Sequence, residues 1–263
     1  MILQKYIPSL ITLLNLLLGF VSIVKIYEGD YTLACYIVIL AGVLDSIDGK
    51  LARKIGISND FGKEIDSLAD LVSFGLAPAL LVYTLYTKQL PSFFGEIIAS
   101  APLLIGAIRL ARFNIDDSTH LNNTFFIGLP IPINAISIIS IVLFTENLKL
   151  ECTNCFQNGY IVGIITLLSF LMISSIPYPK FPLLNFKQSK QNNYRLFGVI
   201  LFVILLLISS FFSLSYLVIM AFTLYYLLLG IIMHLVNLLN VPVVCNSSTW
   251  ALSFSCSCKI FNN

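Results

Sequence analysis

The sequence predicts an all-α, polytopic transmembrane bundle of about eight helices, and three observations carry that reading. Of 263 residues, 58% are hydrophobic and only 11% charged, whereas a soluble domain carries about 25% charged residues. The apolar residues gather into stretches close to the 17–25 residues that a membrane-spanning helix needs. Lysine and arginine are unequally shared between the segments joining those stretches.

In order, the stretches lie near 8–27, 32–50, 64–86, 95–113, 129–146, 159–176, 194–211 and 214–238. The first follows Lys5, but it is too long for a secretory signal and lacks a small-residue cleavage site. It is expected as a retained helix. The second and third are joined by a short polar segment with Gly56 and Ser58 as turn residues. Larger polar gaps fall at 114–126 and 177–193. Pro130 and Pro132 shape the entrance to the fifth helix, and Pro177 and Pro179 act similarly in the later gap. Only Phe211, Phe212 and Ser213 separate the last two stretches. With the N-terminus inside, the inner segments hold Lys5, Lys50, Arg53, Lys54, Lys63, Arg109, Arg112, Lys180, Lys187, Lys190, Arg195 and Lys259. The outer ones hold Lys25, Lys88 and Lys149. This positive-inside bias places residues 45–70 and 109–112 on the cytoplasmic side.

One integral-membrane domain is therefore expected over 1–240, with a Ser-, Cys- and Asn-rich tail of unassigned role at 241–263. A net charge of +2 offers no basic field, and no nucleic-acid partner is expected. Cys152 and Cys155 form a lone CxxC with no second pair to make a zinc site. His120 and His234 stand apart from any cluster.

The chemistry concentrates in DSIDGKLARKIGISNDFGKEIDSLAD, residues 45–70. At about 100° per residue, Asp45, Asp48, Gly49, Ala52 and Arg53 share one side of the second helix. Gly62, Asp66, Asp70, Ser73 and Ala77 form a stripe about 80° wide on the third. Two faces each present a pair of carboxylates, and the short connection lets them meet. Each Asp at a helix centre costs roughly 2.5–3.5 kcal/mol on insertion scales, so four of them call for a compensating charge. Hard oxygen ligands favour Mg²⁺, Mn²⁺ or Ca²⁺, and a pair of such ions is a device for phosphoryl chemistry. Gly49 and Ala52 let a ligand approach the backbone, and Arg53 suits a phosphate. A carboxylate left partly free of metal can act as general base. Lys50, Lys54, Asp60, Lys63 and Glu64 read instead as solvated interfacial charges.

These residues match D-x2-D-G-x2-A-R-x8-G-x3-D-x3-D, the pattern of the CDP-alcohol phosphatidyltransferases, as Asp45, Asp48, Gly49, Ala52, Arg53, Gly62, Asp66 and Asp70. The wider chain, from about 8 to 185, resembles the membrane-embedded phosphatidylserine synthases of that family through IPSLITLLNLLLGF, SLADLVSFGLAP, RLARFN, GLPIP and IPYPKF. The resemblance implies that CDP-diacylglycerol donates a phosphatidyl group to L-serine. It implies that Asp45, Asp48 and Asp66 ligate two divalent ions, Mg²⁺ or Mn²⁺, and that Asp70 is the base and a shared ligand. Gly49, Ala52, Arg53, Asn59 and Gly62 would line the CDP-lipid side. It further implies a bacterial or archaeal cytoplasmic membrane and surrounding membrane lipids, and a homodimer is the usual assembly of such relatives.

Arg109 sits inside an apolar stretch, where an unpaired cation is costly. It is either a structural partner for Glu64 or an aspartate, or a contact for the acceptor carboxylate or substrate phosphate. Arg112 and Asn114 join it as acceptor-site candidates, with Asn134 and Ser73 as further polar contacts. Two other functions compete: a sister enzyme using glycerol 3-phosphate, inositol phosphate or choline, and an ion transporter. A phosphorylated acceptor should need extra basic residues beside the metals. A transporter should carry acids near mid-membrane on several helices rather than at one end of two.

Overall fold

In a membrane bundle the usual amphipathic logic is inverted: small and polar residues face inward, and large apolar ones face lipid. The first helix shows this. Thr12, Asn15 and Ser22 recur at helical spacing and are buried, while Leu10, Leu13, Leu17 and Phe20 are exposed. The structure, a computed structural model, describes residues 2–55, 60–117, 125–147, 155–179, 209 and 214–238.

Helix α1 (Ile2–Glu28) turns at Gly29, whose φ is 85°, into α2 (Tyr31–Ile55). The two pack lengthwise through Ala34, Cys35, Val38 and Ala41, all fully buried, and Ser22 Oγ donates to the Ala34 carbonyl at 3.1 Å. Helix α3 starts as Asp60–Asp70 and passes through a π-helical turn, Leu71–Leu76. It returns to α geometry over Ala77–Val82 and ends in a second π-turn, Tyr83–Thr87. It crosses α1 closely at Gly19, where an added Cβ would lie 3.0 Å from Ser73 Cα.

The stretch expected as one helix at 95–113 is broken. Helices α4 (Ser92–Ala99) and α5 (Ala101–Asp117) meet at a bend of 40°. Pro102 explains the break: it has no N–H to donate back across the junction, and its ring opposes a continuous α-helix. Helix α6 (Ile131–Asn147) is buried on nearly every side, as befits the centre of a bundle. Around it stand α7 (Cys155–Leu171) and α8 (Ser215–Leu238). Among the described residues, four helices are long and apolar enough to cross a membrane, or five if the bent pair is one span. The α6 and α7 helices are apolar but shorter, so the expectation of spanning length at 129–146 and 159–176 holds for composition more than for length. The stretch at 194–211, apart from Ser209, and the tail at 241–263 lie outside the described residues.

One element departs from the all-α expectation. Strand β1 (Phe125–Ile127) pairs antiparallel with β2 (Pro177–Pro179), Phe126 opposite Tyr178. The two prolines of β2 cannot continue a helix, and their fixed φ suits an extended edge strand. Gly128 follows β1 with φ 78° and sits against the backbone of Met172 and Ser174. Its N–H donates to Ile176 O at 2.9 Å, and Leu129 N–H donates to Leu171 O at 3.0 Å. The ribbon thus ties the entrance of α6 to the exit of α7.

Gly128→Ala should therefore lower thermal stability in detergent by about 1–3 kcal/mol, because it meets both a left-handed backbone and a backbone obstruction. Gly163→Ala, where nothing lies within 4 Å of an added Cβ, should be neutral or stabilising by up to about 1 kcal/mol. Equal unfolding midpoints for Gly128→Ala and wild type would remove the ribbon's role as a clasp.

Candidate active site

The carboxylates converge because α2 stays helical past the apolar core to Ile55 and α3 starts again at Asp60. Asp45, Asp48 and Asp66 each offer an oxygen within 4.8 Å of the others. Asp48 is 3% exposed, and Thr12 on α1 donates its hydroxyl to Asp48 Oδ2 at 3.0 Å. Asp70 lies in the electrostatic field of Asp45, Asp48 and Asp66. Mutually repelling carboxylates held this way call for a proton or a cation among them. Asp66 Oδ1 and Asp70 Oδ1 are buried and have no hydrogen-bond partner. Orphaned carboxylate oxygens converging from two helices are what a hard divalent cation requires, and the residues present fit one.

Asp70 is the last residue before the first π-turn. Such turns shift the phase of the residues that follow and often occur at functional sites. Ser73, expected on the aspartate stripe, lies within that turn. It is fully buried against α1, its hydroxyl given to Asn15 O at 3.0 Å. Ser73 therefore fastens helices together instead of offering a polar contact to a ligand.

Of the residues expected to receive the donor, Gly62 has nothing within 4 Å of an added Cβ among the described residues. Gly49 is half-buried on α2. For Ala52 and Arg53 the backbone of α2 is described, while Asn59 lies outside the described residues. Lys63 and Glu64 are exposed, as expected of solvated charges.

The acceptor candidates separate. Arg109 is half-buried, its Nε buried without a partner, and its electrostatic neighbours are Tyr226 and Asp70. Among the described residues Arg109 forms no ion pair with Glu64 or an aspartate. Arg112 is exposed on the same helix. Asn114 Nδ2 donates to Ser67 Oγ at 3.0 Å, which braces α5 against α3 one residue from Asp66. Asn134 is fully buried at the start of α6, and neither amide atom has a partner.

Sequence reasoning missed four residues. Thr12 was unremarkable without knowing that α1 lies beside Asp48. Asn15 is fully buried with both amide atoms unpartnered; an isolated Asn among leucines was its available signal. Tyr178 and Tyr226 stack at 5.6 Å with 9° between the rings, and no local pattern links positions so far apart. Burial pushes the Tyr178 phenol up to about 12, so it stays protonated across the physiological range.

Comparison with known proteins agrees with this geometry. Residues 5–174 match the family model described as CDP-alcohol phosphatidyltransferase. A Helicobacter pylori protein named CDP-diacylglycerol–serine O-phosphatidyltransferase is 36% identical over 226 residues, covering 86% of this chain and 89% of its own. A Bacillus subtilis protein of the same name is 36% identical over 179 residues, covering 68% of this chain and 92% of its own. A Methanothermobacter thermautotrophicus protein named archaetidylserine synthase is 36% identical over 176 residues, covering 66% and 70%.

Added Mn²⁺ should raise the thermal midpoint of the wild-type protein, since a ligand held at 100 times its Kd stabilises by about 2.7 kcal/mol. Asp45→Asn and Asp66→Asn should lose most of that gain, and chelator should reverse it in wild type. A Mn²⁺ response unchanged in both variants would remove these carboxylates as ligands.

Proposed function

The chain belongs to the CDP-alcohol phosphatidyltransferase family, and on that footing we propose that it transfers the phosphatidyl group of CDP-diacylglycerol to L-serine, giving phosphatidylserine and CMP. The observation that carries this is the convergence of Asp45, Asp48 and Asp66 inside a motif whose eight fixed positions are all kept. The shared serine in the names of the bacterial and archaeal relatives supports the acceptor.

Asp45, Asp48 and Asp66, with Asp70 shared, would hold the divalent ions, Mg²⁺ or Mn²⁺ and two in number. Such ions neutralise the diphosphate and stabilise the departing CMP. The chain's own residues do the rest. Thr12 holds Asp48 in place. Gly49, Ala52, Arg53, Asn59 and Gly62 receive the nucleotide end of the donor. A serine hydroxyl is a weak nucleophile and needs a positioned base, and Asp70 takes that role. The serine oxygen bonds to the β-phosphorus as the bond from that phosphorus to the CMP oxygen breaks, and the hydroxyl proton passes to Asp70. Arg109 receives the serine carboxylate in this reading, which its buried and unpartnered Nε supports.

The site faces the cytoplasm in this reading, on the strength of the lysine and arginine distribution. Donor and product remain in the bilayer, while serine and CMP exchange with the cytoplasm. A homodimer is the proposed assembly.

The deciding assay is CMP release from CDP-diacylglycerol by purified protein with Mn²⁺ or Mg²⁺, comparing L-serine with glycerol 3-phosphate, inositol phosphate and choline. Serine-dependent release that chelator abolishes is expected. Release with another acceptor alone would overturn the acceptor, and none with any would overturn the enzyme. Asp70→Asn should cut turnover by about 10²–10⁴-fold while largely sparing CDP-lipid binding. Near-normal turnover in that variant would take the base role away from Asp70.

A further inference from the structure

Thr12 lies outside the aspartate motif, yet it reaches one of the buried carboxylates directly. It is 5% exposed, Asp48 is 3% exposed, and its hydroxyl donates to Asp48 Oδ2 at 3.0 Å. A hydroxyl in an apolar helix commonly bonds to a carbonyl of its own helix, as those of Ser137 and Ser169 do. The Thr12 hydroxyl crosses from α1 to α2.

Helix α1 holds Thr12 where this reach is reproducible. Thr12, Asn15, Gly19 and Ser22 fall within about 80° of one another on that helix. The Asn15 carbonyl accepts from Ser73 Oγ of α3 at 3.0 Å, and Gly19 lies against Ser73. Ser22 Oγ donates to the Ala34 carbonyl of α2 at 3.1 Å. One face of α1 is thus fastened to both helices that carry the aspartates.

The donor is neutral, and its neutrality limits what it does. A lysine or arginine in its place would cancel part of the charge gathered by Asp45, Asp48 and Asp66, and with it the demand for a cation. A hydroxyl orients a carboxylate and leaves its charge in place. It takes a lone pair of Oδ2 and fixes the plane of the carboxyl group, so Asp48 is set to ligate through one oxygen rather than both. That distinction separates divalent ions. Ca²⁺ takes carboxylates through one oxygen or two, in a flexible shell, whereas Mg²⁺ demands a near-ideal octahedron. Mn²⁺ shares the octahedral oxygen geometry.

We propose that Thr12 is a positioning residue that sets the ion preference of the aspartate centre. Its hydrogen bond holds Asp48 as a one-oxygen ligand, which favours Mg²⁺ or Mn²⁺ over Ca²⁺. This rests on the proposed reading of Asp45, Asp48 and Asp66 as metal ligands, and it names what selects the ion there.

The test is ion binding by the full-length protein in detergent, without substrate. Free Mn²⁺ is followed by its EPR signal during titration, and Ca²⁺ by its displacement of bound Mn²⁺. Thr12→Val keeps the shape of the side chain and removes the hydroxyl. Its Kd for Mn²⁺ should rise about 10–100-fold, the scale of losing a partner that orients a metal ligand, while its Kd for Ca²⁺ stays within about twofold of wild type. Thr12→Ser keeps the donor and should retain the wild-type preference. Thr166→Val removes a hydroxyl that bonds to Val162 O of its own helix, and should bind both ions as wild type does.

Unchanged Mn²⁺ affinity in Thr12→Val would overturn this inference and leave the metal reading intact. Equal weakening of both ions would also overturn it, since lost packing alone acts on the two alike. So would a wild type that prefers Ca²⁺, or a Thr12→Ser variant as weak in Mn²⁺ as Thr12→Val. A wild type that binds neither ion would overturn the metal reading, and the inference with it. Should Thr12→Val fail to fold, Thr12→Ala carries the same comparison.

Discussion

Everything in this protein is arranged around four carboxylates held between two helices of a lipid-facing bundle. An ionised carboxylate cannot be left bare in a low-dielectric setting, and the protein supplies few donors to cover these. Thr12 reaches Asp48, while oxygens of Asp66 and Asp70 stay buried without partners. The fold therefore keeps a binding demand in reserve, and a divalent cation is the partner whose chemistry fits it. Rigid neighbours are needed to keep four mutually repelling groups together. Helices α1, α2 and α3 provide this by packing through small residues, with Gly19 against Ser73 and Ala34, Cys35, Val38 and Ala41 buried along α2. Large side chains there would separate the helices and with them the two pairs of aspartates.

The second arrangement is the ribbon of β1 and β2. Two three-residue strands add little stability by themselves. Their value is positional: they join the entrance of α6 to the exit of α7 and bring Tyr178 to a fixed place against α8. The ribbon is thereby fastened to α8 as well, since Pro179 O accepts from Tyr226 while Tyr178 stacks on it.

How much of this is legible in the sequence depends on whether a relationship is local. The aspartate faces are readable because a helix converts spacing into direction, and α2 and α3 are each regular where the aspartates lie. Beyond Asp70 the same arithmetic loses its premise, because Leu71–Leu76 is π-helical and nothing in LVSFGL announces it. Pro102 did announce the break between α4 and α5, but hydropathy averages across a bend and reports one stretch. The bundle class followed from composition, whereas the pairing of Phe126 with Tyr178 joins segments whose separation no periodicity encodes. Arg109 was visible as a misplaced cation, whereas the stack of Tyr178 on Tyr226 was not, for the same reason.

That contrast has a consequence for how the two halves of the site can change. The donor half lies on consecutive helices joined by a short connection, so a change in any one of Asp45, Asp48, Asp66 or Asp70 alters the charge balance of all. The proposed acceptor residue Arg109 sits on α5, with its Nε buried and unpartnered, and shares no part of that connection. In the proposed reading a substitution beside Arg109 therefore alters acceptor preference while leaving the four carboxylates in place, because the demand those carboxylates make is an electrostatic one that the membrane itself imposes.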